Sequence, residues 1–225
     1  MKSPAPPPPQ PQIPIAGSAE TFSVGRVFCV GRNYSEHVKE MGGTDEPPIF
    51  FMKPASAVVP PGELPYPADT ERLDHEIEFV IALGAGGQPA TEDEARALIF
   101  GYAAGVDVTR RDMQFALRDG GLPWEACKAF DHSAPTSPIA PAETIGHPRD
   151  ARIWIKVGDE MRQDASIADM TWSPEALLIA LGKTWALQPG DVIFTGTPAG
   201  VGPLTRGVPA TGGVDGVGEL TITMV

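Results

Sequence analysis

Residues 73–84, LDHEIEFVIALG, begin like a surface turn and end like a buried strand. Alternate residues of a strand share a face, so Glu76 and Glu78 stand side by side. Like charges on one face repel, and a sheet interior is a costly place for both. Two readings follow: an exposed edge whose glutamates face water, or a site for a hard divalent cation. Mg²⁺ or Mn²⁺ takes carboxylate oxygens and keeps positions open for water or substrate. Asp107 interrupts the small, apolar run AAGVDVT, offers a third carboxylate, and favours the cation.

NYSEHVKEM holds a second group. His37 and Glu40 are three apart and share a face if the segment is helical. A carboxylate beside an imidazole fixes its tautomer and raises its basicity, as a general base requires. A solvated charge pair on an exposed helix is the alternative. After Asp107 come Arg110, Arg111 and Gln114, then Lys128 in WEACKAF. These can hold an anionic substrate or simply face solvent. TGTPAGVG (195–202) lacks the Lys-Ser/Thr of a phosphate-binding P-loop, which argues against a nucleotide. A strand ending in such a loop still offers N–H and threonine hydroxyl donors to a carboxylate. His75, His132 and His147 show no ligand spacing and read as structural.

These groups need elements to position them. TFSVGRVFCVG (21–31) reads as a strand or hairpin, residues 33–43 as a helix stopped by Gly42-Gly43, and residues 49–52 as a short strand. Thr91 and Glu94 form a capping-box pattern ahead of a helix that runs into the Asp107 strand. RRDMQFALRDGG reads as a helix or lid, ARIWIKVGDEMRQDAS as a hairpin turning at Gly158-Asp159, and SPEALLIALGKTWAL as a helix capped by Ser173. DVIF and GELTITMV complete the strands. There is no internal repeat and no regular βαβ alternation, and strands outnumber helices. The fold class is therefore α+β and β-rich.

The 225 residues suit one domain with an appended arm: a proline-rich arm over residues 1–20 and a catalytic domain over 21–225. The proline run favours extended polyproline II, and the segment has no apolar signal core. Net charge is −12, which argues against nucleic acid or an anionic membrane as partner. No apolar run is long enough to span a bilayer. Cys29 and Cys127 form no disulfide framework, which points to a reducing, cytoplasmic setting. Lys128 could lower the Cys127 thiol pKa if the two met, but a small buried apolar role suits both cysteines better.

Six stretches, in order, resemble the fumarylacetoacetate hydrolase family: FCVGRNYSEHVKEMG, FMKPASAVVPPG, LDHEIEFVIALG, GYAAGVDVTRRDMQ, GLPWEACKAFDHSAP and QPGDVIFTGTPAGVG. The resemblance spans about residues 20–225, with the lead-in IPIAGSAETFSVGRVFCVGRNY and KAFDHSAP most similar to fumarylpyruvate hydrolases and acylpyruvases. It implies rolled, stacked mixed sheets with a lid helix, and a homodimer. The implied metal ligands are Glu76, Glu78 and Asp107, holding Mg²⁺ or Mn²⁺, with Ca²⁺ able to take the site in crystals. The implied catalytic residues are His37, Glu40, Lys128 and Gln114; Arg111, Thr197 and Lys53 bind substrate. The implied reaction is hydrolysis of a C–C bond in a 2,4-dioxo acid such as fumarylpyruvate. Related sites decarboxylate oxaloacetate or isomerise and hydrate dienoic acids. A non-catalytic scaffold with a partner-recruiting proline arm is the reading from another class. One departure is Val208, where relatives usually carry an aspartate, in the C-terminal hairpin.

Overall fold

The computed structural model describes residue 5, residues 8–34 and residues 47–225. The expected helix at 33–43, with His37 and Glu40, falls outside the described residues except for its first two positions. In chain order the strands begin with β1 (Gln12–Pro14), β2 (Thr21–Ser23), β3 (Val27–Gly31), β4 (Ile49–Lys53), β5 (Val58–Val59) and β6 (Gly62–Leu64). Next come β7 (Leu73–His75), β8 (Ile77–Leu83), helix α1 (Glu92–Ala97), β9 (Ile99–Val106) and β10 (Thr109–Arg110). Helices α2 (Arg111–Asp119) and α3 (Glu125–Lys128) lead to β11 (Ala134–Pro135), β12 (Ala140–Pro141) and α4 (Ala142–Ile145). The chain continues through β13 (Arg152–Val157), β14 (Glu160–Ser166) and α5 (Pro174–Gly182). It ends with β15 (Val192–Phe194), β16 (Gly202–Pro203), β17 (Ala210–Val214) and β18 (Gly218–Met224).

Two mixed sheets dominate, as the β-rich α+β reading expects. One is ordered β12-β9-β8-β15-β3-β4 and the other β14-β13-β17-β18-β6. β15 lies at the centre of the first, parallel to β3 and antiparallel to β8. Every residue of β8 is buried, so its apolar run is continuous rather than alternating. Phe79, Ile81 and Leu83 join Ile153, Ile155 and Ile222 of the other sheet in one core. Val80 and Ala82 turn the other way, into a second core with Cys29, Val192 and Phe194. Glu76 and Glu78 are in phase with Val80 and Ala82, on that second face.

The boundary at residue 20 moves back. β1 pairs antiparallel with β2, Ile13 is buried in the second core, and the Ala16 N–H donates to the Ile139 carbonyl at 2.8 Å. Pro14 is tolerated because β1 pairs along its length with β2 alone; on its other side only the Pro14 carbonyl is used, accepting from the Ile139 N–H at 2.8 Å. The hairpin at Gly158-Asp159 is present, with Gly158 at φ +58. The Thr91 hydroxyl caps Glu94 at 3.3 Å, while the Glu94 carboxylate reaches back to the Ala90 N–H rather than to the cap. Val208 is half-buried against the first core and reaches the hairpin turn at Gly158, so an apolar residue suits its place. Among the described residues, no helix is long and apolar enough to cross a membrane.

Candidate metal centre

The chain breaks strand geometry at Glu76, between β7 and β8, and again after β9 at Asp107. The Asp107 N–H donates to the Glu76 carbonyl at 2.8 Å, which joins the two breaks. Glu78 sits opposite Gly105, whose missing side chain matters: a Cβ there would lie 2.7 Å from Phe194 and 2.8 Å from Val80. Oxygen atoms of Glu76, Glu78 and Asp107 all fall within 4.8 Å of one another, and all three residues are buried. The exposed-edge reading of Glu-x-Glu is therefore wrong for this chain.

Buried cations surround the carboxylates. Lys128 Nζ donates at 2.7 Å to each of Glu76 Oε2, Asp107 Oδ2 and Thr109 Oγ1. Lys53 Nζ pairs with Asp107 Oδ1 at 2.8 Å, and donates to Ser133 Oγ at 3.0 Å and to the Lys128 carbonyl. Lys53 thus neutralises one carboxylate and holds the end of the helix that carries Lys128. Arg111 donates to Asp74 Oδ2 at 2.8 Å and also to Glu76 and Gln114. Neither lysine is the surface cation that a lone Lys in a sequence suggests.

Charge is unevenly matched. Four buried carboxylates (Asp74, Glu76, Glu78 and Asp107) meet Lys53, Lys128 and Arg111, with half-exposed Arg72 also on Asp74, and none of these cations pairs with Glu78. Burial pushes the Glu76 carboxyl up, but Lys128 and Arg111 outweigh that and hold it at about 2. Burial pushes Glu78 up too, and repulsion from Asp107 and Glu76 adds to it, so it stands well above the usual carboxylate range. Among the described residues, no cation pairs with Glu78; its hydrogen bond comes from the Gly196 N–H at 2.7 Å. Gly196, at φ +94, enters this turn without the strain a side chain would bring. Three clustered hard oxygen donors, one lacking a counter-charge, fit a divalent cation of the Mg²⁺ or Mn²⁺ type.

These groups form the floor of a cavity of about 310 Å³, also lined by Gln114, Phe115, Trp124 and Thr197. Arg111, Gln114, Lys128 and Thr197 converge on it, and Lys53 stands behind it. Arg110 does not line it; its guanidinium lies over Phe130 at 4.6 Å. The Thr197 hydroxyl donates to the Ile77 carbonyl at 2.7 Å and accepts from Gln163 at 2.8 Å, so its proton is already committed. Burial pushes the Cys127 thiol up despite Lys128, and pushes Cys29 well up; neither is an activated nucleophile.

The family model for fumarylacetoacetate (FAA) hydrolase C-terminal matches residues 26–223. The chain belongs to the fumarylacetoacetate hydrolase family. It is 40% identical over 203 residues to oxaloacetate tautomerase YcgM of Escherichia coli (strain K12), covering 89% of this chain and 93% of that protein. It is 40% identical over 193 residues to the mitochondrial oxaloacetate tautomerase FAHD1 of Mus musculus, covering 85% and 87%. The crystal structure of fumarylpyruvate hydrolase from Pseudomonas aeruginosa, in complex with Mn²⁺ and pyruvate, superposes with a TM-score of 0.96. That match is 45% identical and covers 100% of this chain and 99% of the other.

Within this family member, Gln163 is the brace that sequence reading missed. It is buried on β14, where Oε1 accepts from the Ile77 N–H at 3.2 Å. Its Nε2 donates to Thr197 Oγ1 at 2.8 Å and to the Pro198 carbonyl at 2.7 Å. A carbonyl only accepts, so the amide orientation is fixed, and His75 Nδ1, 2.9 Å from Oε1, is the donor. Burial lowers the His75 pKa and keeps the ring neutral. Gln163 therefore ties Ile77, between the two glutamates, to the loop that supplies Gly196. The available signal was a polar residue in phase with Ala165 on a strand, a position that must be hydrogen-bonded if it faces inward. Gln163→Leu is expected to weaken Mn²⁺ binding by about 10–100-fold, as loss of a ligand's support typically does. Calorimetric titration checks this; unchanged affinity would reduce Gln163 to a packing residue.

Proposed function

We propose that this chain is a divalent-metal-dependent hydrolase of 2,4-dioxo acids, cleaving fumarylpyruvate to fumarate and pyruvate, and working as a cytoplasmic homodimer. The observation that carries the reading is the buried Glu76–Glu78–Asp107 cluster on the floor of a small cavity beside Arg111 and Lys128. Full-length similarity to a fumarylpyruvate hydrolase supports the choice of substrate. Glu76, Glu78 and Asp107 would hold Mg²⁺ or Mn²⁺, which when bound supplies a Lewis acid for the 2-oxo acid end and its enolate charge. Gln114, at the cavity wall, orients the substrate's carboxylate, and Arg111, held by Asp74 and Glu76, adds positive charge beside it. His37, paired with Glu40 as the family resemblance implies, would take a proton from water, and the oxygen attacks C4. The C3–C4 bond breaks, its electron pair stays on the pyruvate fragment, and C3 takes the proton that His37 holds. Lys128 offsets negative charge developing next to Glu76 and Asp107.

A second reading has its own support: the curated relatives at 40% identity are oxaloacetate tautomerases. Tautomerisation shares the enolate but needs no attacking water. One preparation separates the two. Chelator-stripped protein is given fumarylpyruvate or oxaloacetate, with and without Mn²⁺, and enol absorbance and products are followed. Mn²⁺-dependent release of fumarate and pyruvate supports the hydrolase; enol–keto exchange of oxaloacetate without dioxo-acid cleavage replaces it with the tautomerase. His37→Ala is expected to lower kcat for cleavage by about 10²–10⁴ while Mn²⁺ still binds. Unchanged kcat would remove His37 from the mechanism.

A further inference from the structure

Helix α2 presents Arg111, Gln114, Phe115 and Arg118 to the same cavity. Their spacing of three, four and seven places them on one face of the helix. The face runs from the floor outwards: the Arg111 side chain is 12% exposed and that of Arg118 is 46%. Seven residues advance about 10 Å along the axis. One face thus carries a guanidinium beside the carboxylate cluster and another at the mouth, with an aromatic ring between.

Of the cavity's other guanidiniums, Arg111 and the half-exposed Arg72 are committed, and Arg32 lies on the loop after β3, off this helix face. Arg111 is bound to Asp74 and Glu76, and Arg72 pairs with buried Asp74 at 3.0 Å. Arg118 instead contacts its neighbour Asp119 at 3.1 Å, a pair in which Asp119 is 71% exposed. Such surface pairs are screened and contribute little, so this guanidinium is cheaply redirected. It also lies 5.2 Å from the Phe115 ring centroid, which restrains it at the cavity wall.

We propose that Arg118 reads the far carboxylate of the substrate and so selects a long dicarboxylic dioxo acid over short or uncharged ones. The inference rests on the hydrolase reading above. Fumarylpyruvate has carboxylates at both ends of six carbon–carbon bonds of about 1.5 Å each, held extended by its trans double bond. With its 2-oxo acid end at the carboxylate floor, its far carboxylate lies about 7.5 Å further on, within reach of the long Arg118 side chain at the mouth. Oxaloacetate is too short to reach both ends, and acetylpyruvate carries no far carboxylate.

The test compares kcat/KM for fumarylpyruvate and acetylpyruvate in the Mn²⁺-loaded wild type, Arg118→Met and Arg118→Lys. A charge-assisted hydrogen bond is worth about ten- to a hundredfold, so the preference for fumarylpyruvate should fall by that factor in Arg118→Met, chiefly through KM. Arg118→Lys should recover part of it. A purely structural role lowers both substrates together and leaves the ratio unchanged; that outcome overturns the inference and spares the hydrolase reading. A wild type that cleaves neither dioxo acid overturns both.

Discussion

Glu78→Gln is expected to make the metal-free protein more heat-stable while removing its activity. Glu78 is buried beside Asp107 and Glu76 and has no cation partner among the described residues. Its folded pKa stands above the unfolded value of 4.5, so its favourable contribution is present only below that value. Stability is lost as pH rises from 4.5 towards the raised folded value, and at neutral pH the group is a net cost. Glutamine has the same shape and can still accept from the Gly196 N–H, but carries no charge. Each kcal/mol recovered raises Tm by about 2–4 °C in a chain of this size. The same change deletes one hard ligand. Mn²⁺ should then no longer raise Tm, and turnover should fall by about three orders of magnitude or more. Calorimetry in chelator and in Mn²⁺, together with the cleavage assay, reads all three. A variant whose Tm still climbs with Mn²⁺ would take Glu78 out of the ligand set.

Lys128→Met should move metal-free stability in the opposite direction. The ammonium makes three 2.7 Å contacts, two of them to carboxylates. Burial works against its charge, but Asp107 and Glu76 outweigh that and raise its pKa. Removing it leaves Glu76 and Asp107 short of positive charge, and breaking a buried pair from one side costs about 3–5 kcal/mol. A divalent cation restores the missing charge, so Mn²⁺ should recover much of the lost Tm. Cleavage should stay impaired, because charge developing on the substrate still lacks the lysine. Equal Tm loss with and without Mn²⁺ would mean that Lys128 and the metal do not share these carboxylates.

The carboxylate cluster was legible because its signal is local. Glu76 and Glu78 alternate in phase, and Asp107 breaks an apolar run. The hairpin at Gly158 and the helix capped by Ser173 were legible for the same reason: turn and cap chemistry sits within a few residues. What stayed hidden depends on distant partners. Residue chemistry alone left Lys128 open as a surface cation, and only the family resemblance put it and Lys53 at the site; β4 and α3 bring both to Asp107. Thr197 looks like a ligand for a carboxylate until Ile77, 120 residues earlier, takes its proton. Gln163 looks like an ordinary hairpin residue until His75, Ile77 and Pro198 surround it. The prolines around β1 suggested a loose arm, because proline signals loops more often than the edge strand found here.

The central place of β15 has a consequence for synthesis. Arg26, next to β3, meets Asp191, next to β15, across 165 residues of chain. At 5–20 residues per second, a ribosome needs roughly 8–33 s to make that interval. Until then the apolar strand β8 lacks its neighbour on one side, and Glu78 lacks the Gly196 N–H. An unpaired apolar edge of this kind is a template for aggregation. Lesions in residues 192–196 should therefore reduce soluble yield in the cell before any chemistry can be measured. Nascent chains stalled short of β15 are the species on which chaperones would be found.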